Sequence, residues 1–258
     1  MPSFQEIARQ ALPLLDLTSL NESDSDTDIL RLCGRASTPA GHVAAVCVWP
    51  RHVSVARQGL ARADLQAQVK VATVINFPAG DSEPDEVLLE ASSALTSGAD
   101  EIDLVFPYRA LMAGNEGAGY HLVSRCRQAL SGYTLKVILE TGELKDPALI
   151  RSASEIAISA GADFLKTSTG KVEVNATPEA AAIMMEAIRD SARPVGFKAA
   201  GGIRSTAEAG TYLELAADIL GGSWLRPERL RFGASGLLDD LLRTLGLGTK
   251  PVDLRSRY

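Results

Sequence analysis

Ser159-Ala-Gly-Ala-Asp-Phe-Leu-Lys166-Thr-Ser-Thr-Gly-Lys171 reads, in order, as a helix end, a short buried strand and a glycine-bearing loop. Gly161 closes a helical pattern, the apolar run at Phe164 and Leu165 is too short for a helix, and Gly170 marks a loop. One unit later, Pro194-Val-Gly-Phe-Lys198-Ala-Ala-Gly-Gly202 repeats the strand and loop, again with a lysine at the strand end. The connector Ser97-Gly-Ala-Asp100 resembles Ser159-Ala-Gly-Ala-Asp163 and hints at a repeated unit.

Working outward, eight apolar runs fit parallel βα units. They are Val43 to Val48, Val69 to Asn76, Glu101 to Phe106, Thr134 to Glu140, Asp163 to Thr167, Pro194 to Ala199, Asp218 to Leu220 and Leu230 to Gly233. Helix starts are marked at Asp81 to Asp85, Asp146-Pro147 and Thr177-Pro178, and Gly98 and Gly161 mark two ends. Eight units behind one or two extra N-terminal amphipathic helices in residues 3–37 predict an α/β fold, a (β/α)8 TIM barrel. A doubly wound sheet is the alternative, but its Gly-x-Gly-x-x-Gly turn is missing.

The chain has 258 residues and no linker-like stretch, so one domain over 1–258 is expected, with residues 247–258 a polar, frayed tail ending in Tyr258. A flap over the site is the other reading of that tail. A net charge of −6 without a basic stripe argues against nucleic acid and anionic membranes as partners, and leaves small anions open. No signal peptide or spanning run is evident. Cys33, Cys47 and Cys126 are odd in number and widely spaced, which predicts reduced thiols in a cytoplasm. His42, His52 and His121 show no ligand spacing, so no metal is expected.

Lys166 and Lys198 pose an electrostatic problem, because a buried ammonium must be paired or give up its proton. On a barrel, strand carboxyl ends converge on one mouth, so Lys166, Lys198 and Asp103 are expected to meet. Two ammonium groups at roughly 6 Å and an effective dielectric near 20 repel by about 2.8 kcal/mol, enough to free one amine near neutral pH. The alternative pairs one lysine with Asp103 or Glu140 and leaves the other at the solvent. Asp103 alternates with Ile102 and Leu104 and so points inward, to hold an ammonium or to move a proton. Asp16 and Thr18 share that two-residue period, with capping of the segment 21–28 as their other reading. Cys47 ends a strand and reads first as a small hydrophobe. Glycines in Ser-Thr-Gly170-Lys171, Gly201-Gly202-Ile203 and Gly233-Ala-Ser235-Gly236 follow strands, where open amides could bind phosphate or simply make turns.

With these residues on the page, the chain resembles the 2-deoxyribose-5-phosphate aldolase family over about residues 10–245. The resemblance is carried by Leu-Asp16-Leu-Thr18, Ala-Val-Cys47-Val, Asn76-Phe-Pro, Gly-Ala-Asp-Glu-Ile-Asp103, Glu140-Thr-Gly-Glu-Leu, Lys166-Thr-Ser-Thr-Gly-Lys171, Lys198 and Arg-Phe-Gly-Ala-Ser235. It implies a barrel enzyme, without metal or organic cofactor, that cleaves 2-deoxy-D-ribose 5-phosphate reversibly to D-glyceraldehyde 3-phosphate and acetaldehyde in deoxyribose phosphate catabolism. It implies small-molecule partners only, and a dimer or a monomer. By the same resemblance, Lys166 matches the Schiff-base nucleophile, Lys198 the lysine that lowers its pKa, and Asp103 the acid/base partner acting through water. Asp16, Thr18, Cys47 and Thr167 match substrate-binding positions, and Gly170, Lys171, Gly201, Gly202, Gly233, Ser235 and Gly236 the phosphate loops. The chain departs from many relatives at Ala199, where they carry proline, and at Gly236, where they carry serine. Rival readings are a lysine-dependent aldolase for another phosphorylated sugar and a non-catalytic sugar-phosphate-binding barrel.

Overall fold

A computed structural model describes residues 2–248. Eight parallel strands close a barrel: β1 (Leu15–Ser19), β2 (Ala45–Val48), β3 (Lys70–Ile75), β4 (Glu101–Val105), β5 (Thr134–Ile138), β6 (Phe164–Lys166), β7 (Gly196–Ala200) and β8 (Leu230–Ala234). Each strand pairs with the next, and β8 pairs with β1 through Asp16 opposite Gly233. The expected (β/α)8 barrel is therefore the fold.

The strand count of eight survives two corrections. Asp218 to Leu220 is the last turn of the helix Thr206–Leu220, not a strand. The eighth strand is instead β1, inside the stretch read as N-terminal helix; helices Phe4–Ala11 and Asp26–Arg35 lie on either side of it. Lys166 and Lys198 thus sit on the sixth and seventh strands rather than the fifth and sixth. The expected tail falls, from residue 249 onward, outside the described residues.

Alternation along the strands separates two cores. Leu15, Leu17, Val46, Val48, Ile102, Leu104, Leu135, Val137, Leu165, Phe197, Leu230 and Phe232 turn outward into one apolar cluster with the surrounding helices. The opposite faces of β2 and β3 carry Ala45, Cys47, Ala72 and Val74, a second, smaller cluster inside the barrel. The same inward period on the other strands brings Asp16, Glu101, Asp103, Lys136, Lys166, Lys198 and Arg231 into the interior, all at most 6% exposed. Two glycines make room for long side chains there. A Cβ on Gly196 would lie 2.4 Å from the Phe164 ring, and one on Gly233 would lie 3.0 Å from Lys198 Cε.

At the other strand ends, the repeated connectors perform one task. Asp100 accepts the Val71 amide of β3 and a guanidinium nitrogen of Arg57, both through Oδ2. Asp163 accepts the Leu135 amide of β5 and a guanidinium nitrogen of Arg127 in the same way. Gly98 and Gly161, at φ of 103° and 104°, supply the left-handed residue that ends each preceding helix.

Candidate active site

Asp103 is the hub of the site. Its Oδ2 accepts from Lys166 Nζ and from Lys198 Nζ, each at 2.8 Å, and its Oδ1 accepts from Lys136 Nζ at 2.8 Å. The two amines therefore lie within twice that distance of each other, and the register places Lys166, the last residue of β6, opposite Lys198, which stands in the middle of β7 rather than at its expected end. Lys198 also donates to Asp16 Oδ2 at 2.5 Å. The expected meeting of Lys166, Lys198 and Asp103 is what the fold produces.

Their protonation follows from unequal pairing. Burial pushes the Lys166 amine below its ordinary value; Asp103 opposes that shift and the Lys198 charge adds to it. Repulsion between the lysines is thus a contributor, whereas desolvation is the larger cause. Lys198 is as deeply buried, but two carboxylates, Asp103 and Asp16, outweigh its desolvation and hold its proton well above the ordinary range. Burial works to raise the Asp103 carboxyl, yet Lys136, Lys166 and Lys198 keep it well below the usual carboxylate range. One amine is thereby loosened beside a permanent ammonium and a permanent carboxylate.

A cavity of about 560 Å³ opens over Lys166 at the carboxyl ends of the strands. Thr18 and Lys166 belong to its wall, as do Gly170, Lys171, Gly201, Gly202, Gly233, Ser235 and Gly236. Asp16 and Cys47 are fully buried. Asp16 is committed to Lys198 and Arg231, and burial pushes the Cys47 thiol up. The Thr167 hydroxyl is occupied by the neighbouring strand, donating to Ala200 O and accepting the Ala200 amide. These three expected substrate contacts lie outside the cavity lining.

The opposite end of the cavity suits an anion. Gly201 and Gly202 run at φ of 84° and 86°, a left-handed path that turns backbone outward after β7. Helix Leu237–Thr244 begins at Gly236 with no side-chain cap, so its first amides stay open and its dipole is positive toward the cavity. The neighbouring helix Thr206–Leu220 behaves differently, because Ser205 and Glu208 cap its amides in a reciprocal box. Lys171 and Arg204 add two cations to the wall. Lys171 Nζ donates to Leu20 O at 2.6 Å and lies 5.9 Å over the Trp49 ring.

Among the described residues, Glu140 pairs with no lysine. It takes a left-handed backbone (φ 56°) at the end of β5, and its carboxylate accepts the Thr169 amide at 3.2 Å and the Thr169 hydroxyl at 2.5 Å. The Thr169 hydroxyl in turn accepts the Lys171 amide at 3.0 Å, so a buried carboxylate holds the loop that carries Gly170 and Lys171. Lys136, Arg231 and Arg204 were missed by the sequence reading. Lys136 shares the inward period of Asp103 and stands opposite it in the register, which was the available signal.

The model of the DeoC/LacD family aldolase matches residues 11–242. A crystal structure of a protein from Toxoplasma gondii ME49, provisionally named a deoxyribose-phosphate aldolase, is 30% identical with a TM-score of 0.87, over 94% of this chain and 98% of that one. A protein of Coccidioides immitis with the same provisional name is 31% identical (TM-score 0.80), over 94% of this chain and 87% of that one. The tetrameric deoxyribose phosphate aldolase of Aeropyrum pernix is 27% identical (TM-score 0.73), over 95% and 93% of the two chains.

Proposed function

Because the chain belongs to the DeoC/LacD family of aldolases, we propose that it cleaves 2-deoxy-D-ribose 5-phosphate reversibly to D-glyceraldehyde 3-phosphate and acetaldehyde, through a Schiff base on Lys166. The observation that carries this reading is the shared Asp103 oxygen: it sets a loosened amine beside a fixed ammonium, in a cavity whose other end is lined by open amides, Lys171 and Arg204. The names of the similar Toxoplasma, Coccidioides and Aeropyrum proteins support the same substrate.

Neutral Lys166 attacks C1 of the open-chain sugar, and the carbinolamine takes up a proton from water and loses water to give an iminium, whose positive charge then stands beside Asp103. Asp103, acting through water, accepts the C3 hydroxyl proton, and the Lys198 ammonium beside it stabilises the negative charge that develops on that oxygen. The C2–C3 bond then breaks, its electron pair passes toward the iminium nitrogen to leave an enamine on Lys166, C3 becomes the aldehyde carbon, and glyceraldehyde 3-phosphate leaves. The enamine carbon takes a proton, and hydrolysis returns the amine and releases acetaldehyde. Asp103 is too well paired with cations to store a proton for long, so it relays and orients. The phosphate is held by the Gly201–Gly202 turn, the Ser235–Gly236 amides, Lys171 and Arg204. Three buried free cysteines support a cytoplasmic setting.

Borohydride reduction in the presence of acetaldehyde is expected to leave one ethyl group on Lys166, located by peptide mass spectrometry, and purified enzyme is expected to cleave 2-deoxyribose 5-phosphate. No adduct would end the covalent mechanism. An adduct without turnover of that sugar would transfer the chemistry to another phosphorylated substrate.

A further inference from the structure

Beside Lys166, three carboxylates and three cations close a ring. Arg231 Nη1 bonds Asp16 Oδ1 at 2.6 Å, and Asp16 Oδ2 bonds Lys198 at 2.5 Å. Lys198 bonds Asp103 Oδ2 at 2.8 Å, and Asp103 Oδ1 bonds Lys136 at 2.8 Å. Lys136 bonds Glu101 Oε2 at 2.6 Å, and Glu101 Oε1 returns to Arg231 Nη2 at 2.9 Å. Along the ring each carboxylate bonds two cations and each cation two carboxylates within 2.9 Å, and Lys136 also lies 3.8 Å from Asp16 across it, in an interior where these residues are 0–6% exposed. Such alternation is what allows six ionised groups to share a buried space.

The ring is neutral as a unit. Lys166 hangs on Asp103 from outside it, so a Lys166 ammonium would be a seventh charge without a partner of its own. Buried charge of that kind is expelled first. We propose that Glu101 and Arg231, which lie outside the cavity lining, are positioning residues that close this ring and thereby make Lys166, rather than Lys198 or Lys136, the amine free to react.

The other groups around Lys166 leave that balance in place. Cys47 faces it from β2 as a buried thiol held in the neutral form, and Glu140 from the end of β5 is engaged by Thr169. Lys171 on the following loop and Arg204 on the loop after β7 belong to the cavity wall. These four are common to every variant below.

The ring makes predictions of opposite sign. Removing a ring cation, by Arg231→Met or by Lys136→Met, leaves three carboxylates and two cations, so Lys166 becomes the third cation and keeps its proton to higher pH. Removing Glu101 as well restores neutrality, so Arg231→Met combined with Glu101→Gln returns Lys166 to its original behaviour.

The catalytic consequence rests on Lys166 being the Schiff-base nucleophile, but its titration does not. The test is therefore the pH dependence of Lys166 labelling by fluorodinitrobenzene, read by peptide mass spectrometry on the folded full chain and checked by circular dichroism. Arg231→Met and Lys136→Met are each expected to raise the midpoint by about one pH unit or more, a tenfold loss of reactive amine at neutral pH. The double variant is expected to fall back to the wild-type midpoint. Either single variant suffices if the other fails to fold. An unmoved midpoint in the folded single variant, or a double variant shifted as far as Arg231→Met alone, would overturn the ring. A wild-type chain that labels as expected yet turns over no deoxyribose 5-phosphate would count against the proposed function and leave the ring standing.

Discussion

Lys166 and Lys198 donate to the same oxygen, Oδ2 of Asp103, each at 2.8 Å. Sharing one acceptor makes the pair unequal, because Lys198 has Asp16 as a second carboxylate and Lys166 does not. Lys198→Met should therefore do two things at once. It removes the ammonium beside the nucleophile, and it leaves Asp103 and Asp16 short of a cation, so Lys166 holds its proton more tightly. The acid limb of kcat/KM for deoxyribose 5-phosphate cleavage is expected to move up by about one pH unit or more, with activity at pH 7 down at least about tenfold. A profile unchanged in shape and position would separate Lys198 from the chemistry.

The phosphate end should be separable from the amine end. Arg204 lines the cavity far along the chain from Lys166, and its side chain is exposed. Arg204→Ala is expected to raise KM for the phosphorylated sugar by about 10-fold or more, the worth of one charge-assisted hydrogen bond. Cleavage of unphosphorylated 2-deoxyribose should be nearly unaffected. Equal losses on both sugars would place Arg204 in the structure of the loop instead.

Interior packing is tight enough for a single methyl to matter. Gly196→Ala would set a Cβ 2.4 Å from the Phe164 ring, and Arg231 stacks 5.7 Å from that ring's centre. Phe164 cannot retreat without disturbing the guanidinium, so the substitution is expected to cost about 1–3 kcal/mol of stability. A thermal unfolding scan reads it directly, and an unchanged midpoint would mean that the ring of Phe164 has free space beside it.

Legibility in the sequence followed the length and context of each element. β2 to β8 stood out as apolar runs between glycine or proline punctuation, with Asp218 to Leu220 the one misplaced addition. β1 did not, because Leu15–Ser19 follows directly on a helix and the one-turn helix Leu12–Leu14, with no break in the apolar pattern between them. Asp218 to Leu220 looked like a strand because the helix ending there is apolar through Leu213, Leu215 and Ile219. The hub of the site was readable from strand ends, whereas its closure was not. Arg231 reaches Asp16 across 215 positions of chain, and a charged residue in the middle of a strand carries no local mark of its partner.

Acid stability offers a test of the buried charges that needs no substrate. Burial alone would raise the carboxyls of Asp16, Glu101 and Asp103, but the surrounding lysines and Arg231 leave all three below their ordinary values. A carboxyl that binds protons more weakly folded than unfolded stabilises the fold fully above its unfolded pKa of about 4, and that stabilisation is lost as pH falls through the folded value. Each such group steepens the loss of unfolding free energy below pH 4 by up to about 1.4 kcal/mol per pH unit. Combining Glu101→Gln with Arg231→Met removes one of these carboxyls together with its cation, so the four charges that remain stay balanced while one proton-linked group disappears. Urea unfolding from pH 7 to pH 3 should give a shallower acid decline for the double variant than for the wild-type chain. Parallel declines would show that Glu101 is not held ionised in the fold.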